Sequence, residues 1–200
     1  MKFSGDLQTL LPFGYIYLVV LGIVKESFFY YQLGINILKN STIMDILLSP
    51  IAEFTSNPFT LVFIILLFIF HYKLPSILSK KSHKKLVQKA FELKSVAGLS
   101  EEESKNYYNG VSIRILIAML LCFFVGTGIG GGYFLKKRIH ENKIHYDYKL
   151  NYNSGESEQI ELINTNSLYY FYLAKNNKAI KIAPLASIKS IELTNNKRLK

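Results

Sequence analysis

Two hundred residues, half of them hydrophobic, with a mean hydropathy of +0.18 and a formal net charge of +10, describe a basic, apolar chain. The make-up of the charge argues against nucleic acid as a partner. Of 24 basic residues, all but Arg114, Arg138 and Arg198 are lysine, whereas phosphate and base recognition favours the planar guanidinium. A single cysteine, Cys122, excludes an intramolecular disulfide framework and a cysteine metal cluster.

Residues 1–6 are a short polar start containing Lys2, and residues 7–24 follow without a charge as far as Lys25-Glu26. A cleaved signal peptide has an apolar region of about 7–15 residues followed by a small-x-small site. This run is longer, and Lys25-Glu26-Ser27-Phe28-Phe29 offers no such site. We expect an uncleaved first span, with Tyr15, Tyr17, Tyr30 and Tyr31 as interfacial aromatics.

In residues 41–54, Ser41 is a plausible N-cap, and Ile43, Ile46, Leu47, Pro50, Ile51 and Phe54 follow at helical spacing. Thr42, Asp45, Ser49 and Glu53 take the other side, and Pro50 introduces a kink. The segment is too short to span, so an interfacial or re-entrant helix is expected. A second span covers 54–72, started by Asn57-Pro58, with His71 as an interfacial residue. Residues 1–72 therefore read as a two-span membrane hairpin.

Residues 73–110 carry eight lysines and four glutamates. Pro75 is expected to close the span. Leu86, Ala90, Leu93 and Ala97 form a helical stripe over 82–97, with Gly98 as C-cap, and Ser100 and Glu103 have capping-box spacing. A basic helical hairpin ending near Asn109-Gly110 follows from these signals. Lys80, Lys81, Lys84, Lys85 and Lys89 are candidates for contact with anionic lipid head groups.

The third span, within 111–138, is the clearest. Residues 115–135 are uncharged between Arg114 and Lys136-Lys137-Arg138, and that basic triplet forms a second candidate head-group contact. Gly126, Gly128 and Gly131 match G-x-G-x-x-G, but the motif binds phosphate only between a strand and a helix, so a membrane span excludes it. The pairs Gly126/Gly130 and Gly128/Gly132 instead permit close helix packing, within the chain or in a homo-oligomer. With the N-terminus inside, three spans place ten basic residues inside and seven outside. A half-membrane loop at 126–132 is the competing topology.

After Lys136 the period changes to two. Ile144, Tyr146, Tyr148, Leu150 and Tyr152 alternate with polar residues as a half-buried strand. Strands over 159–164, 168–174, 179–183 and 188–193 follow, with one helical turn before the last and a basic tail beyond it. That order is found in small SH3-like or Sm-like barrels, so 139–200 is expected to be a small all-β domain.

Chemistry is sparse. His140 and His145 match no metal motif, no charge lies inside the expected spans, and no nucleophile–base spacing stands out. Tyr169-Tyr170-Phe171-Tyr172 fits alternating core and surface positions better than a base-stacking platform. The expected class is a membrane protein, α+β, with three transmembrane helices and a C-terminal five-stranded β domain. No catalytic, metal or cofactor site is expected. The expected function is a non-enzymatic anchor in the bacterial inner membrane for a β-barrel that binds a partner or ligand. The alternative is a membrane-active, depolarising effector.

Overall fold

The computed structural model describes residues 3–96 and 98–195, with side chains from residue 11 onward. Met1, Lys2, Ala97 of the expected stripe and the tail 196–200 lie outside the described residues. The described chain is α+β, and three of its helices are long and apolar enough to cross a membrane: Leu11–Tyr31, Pro58–Lys81 and Glu101–His140. It divides into two compact units, Met1–Pro50 with Val125–Lys200, and Ile51–Phe124.

The first unit begins with helix α1, Phe3–Tyr31, followed by a single 3₁₀ turn, Ile37–Lys39, and the start of α2, Ile43–Ser56. Thr42, rather than Ser41, caps α2. The Thr42 amide donates to Asp45 Oδ2 at 2.8 Å, and the Asp45 amide donates back to Thr42 Oγ1 at 3.2 Å.

The same unit carries the end of α5, Glu101–His140, and an antiparallel sheet. Its strands are β1 Tyr148–Tyr152, β2 Ser157–Thr165, β3 Tyr169–Ala174, β4 Ile180–Pro184 and β5 Ile188–Leu193, in the order β4-β3-β2-β1-β5. The barrel expectation needs correction here, because the sheet is not closed: β4 and β5 are its two edges and do not pair. Only the 3₁₀ turn Leu185–Ser187 separates these strands in sequence, so the sheet must curl to bring one end of each edge together. Register shifts at Leu162/Asn164 and Asn151/Tyr152 supply irregularities of the kind that increase local twist. Leu150, Ile160, Tyr172, Ala174 and Ala183 form the core. β1 is also shorter than its alternation predicts, since residues 144–147 are not paired as strand.

In the second unit, Asn57 caps α3, Pro58–Lys81, accepting from the amides of Phe59 at 3.0 Å and Thr60 at 3.5 Å. Contrary to expectation, Pro75 does not end this helix. A helical proline lacks the N–H that would bond the carbonyl four residues earlier, here that of His71. Ser112 Oγ donates to that carbonyl at 2.9 Å, so the helix continues with its freed acceptor satisfied. His71 is buried, and its Nδ1 lies 2.8 Å from the Leu67 carbonyl.

The expected helical hairpin also needs revision. Among the described residues of 82–96, only Lys85–Ala90, helix α4, is helical, and Glu92 takes a positive φ of 49°. Leu93 and Val96 still pack against Leu74, Leu78, Tyr108 and Val111, but from irregular backbone. The Lys94 amide donates to Tyr107 Oη at 2.6 Å, and this bond is one stabiliser of the irregular path. Ser100 and Glu103 form the capping box that starts α5. The helix then runs without a break through Asn109-Gly110 and the glycine stretch, with no half-membrane turn at 126–132. Its 40 residues amount to about 60 Å, twice the roughly 30 Å hydrocarbon thickness.

Candidate functional site

The most informative region lies within the first unit, where α1, α2, the end of α5 and the sheet converge. Three glycines allow the backbones to meet. A Cβ on Gly22 would stand 1.9 Å from the Ile46 carbonyl oxygen of α2. On α5, one at Gly128 would stand 2.4 Å from the Lys25 carbonyl oxygen, and one at Gly132 would stand 2.5 Å from that of Phe29. Gly126 and Gly130 have nothing within 4 Å. The two G-x-x-x-G pairs are therefore not equivalent: Gly128/Gly132 contacts α1 and Gly126/Gly130 faces open space. Replacing Gly128 by leucine should cost about 1–3 kcal/mol or more, because backbone cannot yield as a side-chain tip can. Gly126→Leu should be tolerated in the monomer. Thermal unfolding in detergent measures both.

Where these backbones meet, α1 carries Lys25 and Glu26. The helix continues past them to Tyr31, so the stretch long and apolar enough to cross a membrane includes both charges, beyond the expected end at residue 24. Glu26 is 8 % exposed. Ser49 of α2 donates its hydroxyl to Glu26 Oε1, and Lys25 Nζ lies 3.3 Å from Ser49 Oγ and 3.5 Å from Glu26 Oε1. The cluster joins an acid, a cation and a hydroxyl across α1 and α2, and its charges compensate one another. Sequence reading missed it because Lys25-Glu26 looks like the end of an apolar run. The signal that points to it is the polar face of α2, with Asp45 and Ser49 four residues apart.

Tyr30, Ile37 and Phe171 form a second buried core that joins the sheet to α1 and the 3₁₀ turn. The rings of Tyr30 and Phe171 are 5.1 Å apart. β3 is consequently buried on both faces: Tyr172 and Ala174 enter the sheet's own core, while Phe171 enters the joint. The alternating core-and-surface reading of 169–172 is corrected accordingly.

A polar latch lies beside this core. Asp45 accepts from the Ser167 amide at 3.0 Å and the Ser167 hydroxyl at 2.9 Å, in addition to its bonds from Thr42. Asn166 Nδ2 donates to the Asn40 carbonyl at 2.7 Å and to Ser41 Oγ at 3.1 Å. Partial burial pushes the Asp45 carboxyl up, but the bonds from Thr42 and Ser167 outweigh this and hold it below its ordinary value. A carboxyl depressed in the folded state stabilises above its unfolded pKa, about 3.9, and loses that contribution as pH falls through the folded value. Hydrogen exchange at the Ser167 amide should therefore accelerate below about pH 4, and Asp45→Asn should remove that pH dependence.

No protein-family model, no curated protein and no solved structure matches this chain.

The basic residues singled out in the sequence divide by environment. Lys80, Lys81, Lys84, Lys85 and Lys89 are exposed, as are Lys136 and Lys137. Arg138 is half-buried and pairs with Glu161 of β2 at 3.1 Å. Burial raises the Glu161 carboxyl above its ordinary value, and Arg138 offsets only part of that rise. Arg138 thus connects α5 to the sheet. Among the described residues, no group of three or more His, Cys, Asp or Glu could hold a metal, and His140 and His145 take part in no such cluster. A shallow cavity of about 430 Å³ opens at the end of α1, lined by Ser27, Tyr31, Gly34, Asn36 and Leu38 among others.

Proposed function

We propose that the chain is a multi-pass, non-enzymatic protein of the bacterial inner membrane that holds a small β domain against its membrane helices to bind a partner or ligand. The observation that carries this reading is the shared core of Tyr30, Ile37 and Phe171, with the Asp45 latch beside it. A domain fastened in this way is a fixed extension of its anchor, not a module on a tether. The strand order and the 3₁₀ turn before β5 support an SH3-like plan in open form. Such a sheet leaves the outer edges of β4 and β5 free for strand addition. The positive-inside count favours the N-terminus inside and the β domain outside. The exposed lysines at 80–89 and 136–137 favour anionic head groups.

Two measurements test the reading in stages. The chain should resist alkaline carbonate extraction from membranes. The full-length protein, purified in detergent, should retain a partner that Ile182→Asp on the β4 edge releases and Lys80→Glu does not. Equal recovery with both variants, or no bound partner at all, would overturn the binding reading.

The open Gly126/Gly130 face favours a second reading, in which copies of α5 assemble and depolarise the membrane. Strong expression should then collapse the membrane potential, and Gly130→Leu should restore it without unfolding the protein. An unchanged potential on expression of the unmodified chain counts against assembly.

A further inference from the structure

We propose that the bilayer itself is a partner of the β domain: the outward face of α2 and Leu168, on the turn between β2 and β3, together form a surface that takes up lipid acyl chains. This deepens the membrane reading above and rests on it.

The polarity of α2 is the first observation. A helix beside water turns its polar residues outward and its apolar stripe inward. Over 42–50 the polar side chains are engaged by protein: Thr42 and Asp45 with each other, Asp45 with Ser167, and Ser49 with Glu26. Ile46 and Pro50 are buried. Over 43–50 the exposed residues are Ile43, Met44 and Leu48, at 62 %, 54 % and 49 %, and none carries a polar group. At 14 residues, or about 21 Å, α2 is too short to cross a bilayer. With an outer face of this kind it belongs at the boundary between head groups and acyl chains.

Leu168 is the second observation. It is 45 % exposed on a turn whose neighbouring residues are otherwise polar. The adjacent Ser167 is bonded twice to Asp45, so this leucine sits at the amino-terminal end of α2. The Asn166 side chain accepts from the Leu168 amide at 2.9 Å and from the Tyr169 amide at 2.8 Å, which fixes the turn.

Lipid is favoured over a protein partner by continuity. Gly22 brings α2 directly onto α1, whose Val20 and Ile23 are exposed within the segment apolar enough to span. The α2 face therefore extends a surface that already calls for hydrocarbon. The Asp45–Ser167 bonds then make the β2–β3 turn a direct contact between bilayer and sheet.

The chain contains no tryptophan, so single-tryptophan variants report cleanly. Leu48→Trp, Leu168→Trp, Leu66→Trp on α3 and Lys178→Trp on the β3–β4 turn would be reconstituted in phosphatidylcholine–phosphatidylglycerol vesicles containing brominated lipids. All four positions are exposed, so the substitutions add no buried volume. Leu66→Trp should be quenched most by bromines deep in the acyl chain. Leu48→Trp and Leu168→Trp should be quenched by bromines near the head groups, with blue-shifted emission, and Lys178→Trp should be unaffected. Quenching at 66 without quenching at 168 would overturn the proposal while leaving the membrane reading intact. No quenching at 66 would remove the membrane reading and the proposal together. Oxygen accessibility of a spin label at Leu168→Cys, in a Cys122→Ser background, gives an independent measure, and a label no more accessible than one at 178 would likewise overturn it.

Discussion

Phe171→Ala should cost about 3–5 kcal/mol and separate the sheet from α1 while leaving much of the sheet paired. The side chain is fully buried, yet it does not belong to the sheet's own core. It packs with Tyr30 and Ile37, so truncation opens a cavity between the sheet and α1, while the Asn166–Ser167 latch still ties the sheet to 40–45 and the Arg138–Glu161 pair ties it to α5. Tyr172→Ala makes the informative comparison. Tyr172 points into the sheet core, where its hydroxyl is bonded to that of Tyr152, so its loss should unfold the domain itself. In the Phe171 variant, amides of β1, β5 and 157–162 of β2 should stay protected from hydrogen exchange while those of 163–169 and 35–45 open. Uniform loss of protection across the sheet would show that the joint and the domain core are one cooperative unit.

The broad plan could be read from the sequence because it depends on local period and composition. The apolar runs account for the long helices, and the shift from helical to twofold alternation after Lys136 accounts for the change to sheet. Capping chemistry was local too, and Ser100 with Glu103 starts α5 as their spacing requires. What escaped depended on partners distant in sequence. Pro75 reads as a stop until Ser112 supplies the hydroxyl that its missing N–H makes necessary. The stripe of 82–97 has the right residues for a helix, but its later part packs well enough without being helical. Alternation assigns every second residue of 169–172 to the surface, because it cannot foresee that both faces of β3 are covered. The glycine pairs were visible, but not which of them faces α1. Five strands in the right order suggested a barrel, and order alone does not decide whether the edges pair.

Neutralising Glu26 should be nearly as damaging as removing Phe171, and the way its effect combines with that of Lys25 is diagnostic. Neighbouring residues on a helix do not normally face each other, and the 3.5 Å separation of this pair is long for a direct contact. Ser49 completes the arrangement by donating to the carboxylate while it accepts from the ammonium. Glu26→Leu takes away the carboxylate that both groups use and leaves the Lys25 charge in a poorly solvated site, at a cost of about 3–5 kcal/mol. Lys25→Met leaves the opposite charge behind, with a loss of similar order. If the pair is held together by mutual neutralisation, the double variant should be much less damaged than the sum of the two, since apolar residues of similar volume can replace a buried pair at little cost. Ser49→Ala should weaken that coupling. Strict additivity in detergent unfolding would show that Lys25 and Glu26 act independently. A strong coupling would make the cluster the electrostatic pin that sets α2 across α1 and, through Asp45, holds the turn at Ser167 where it is.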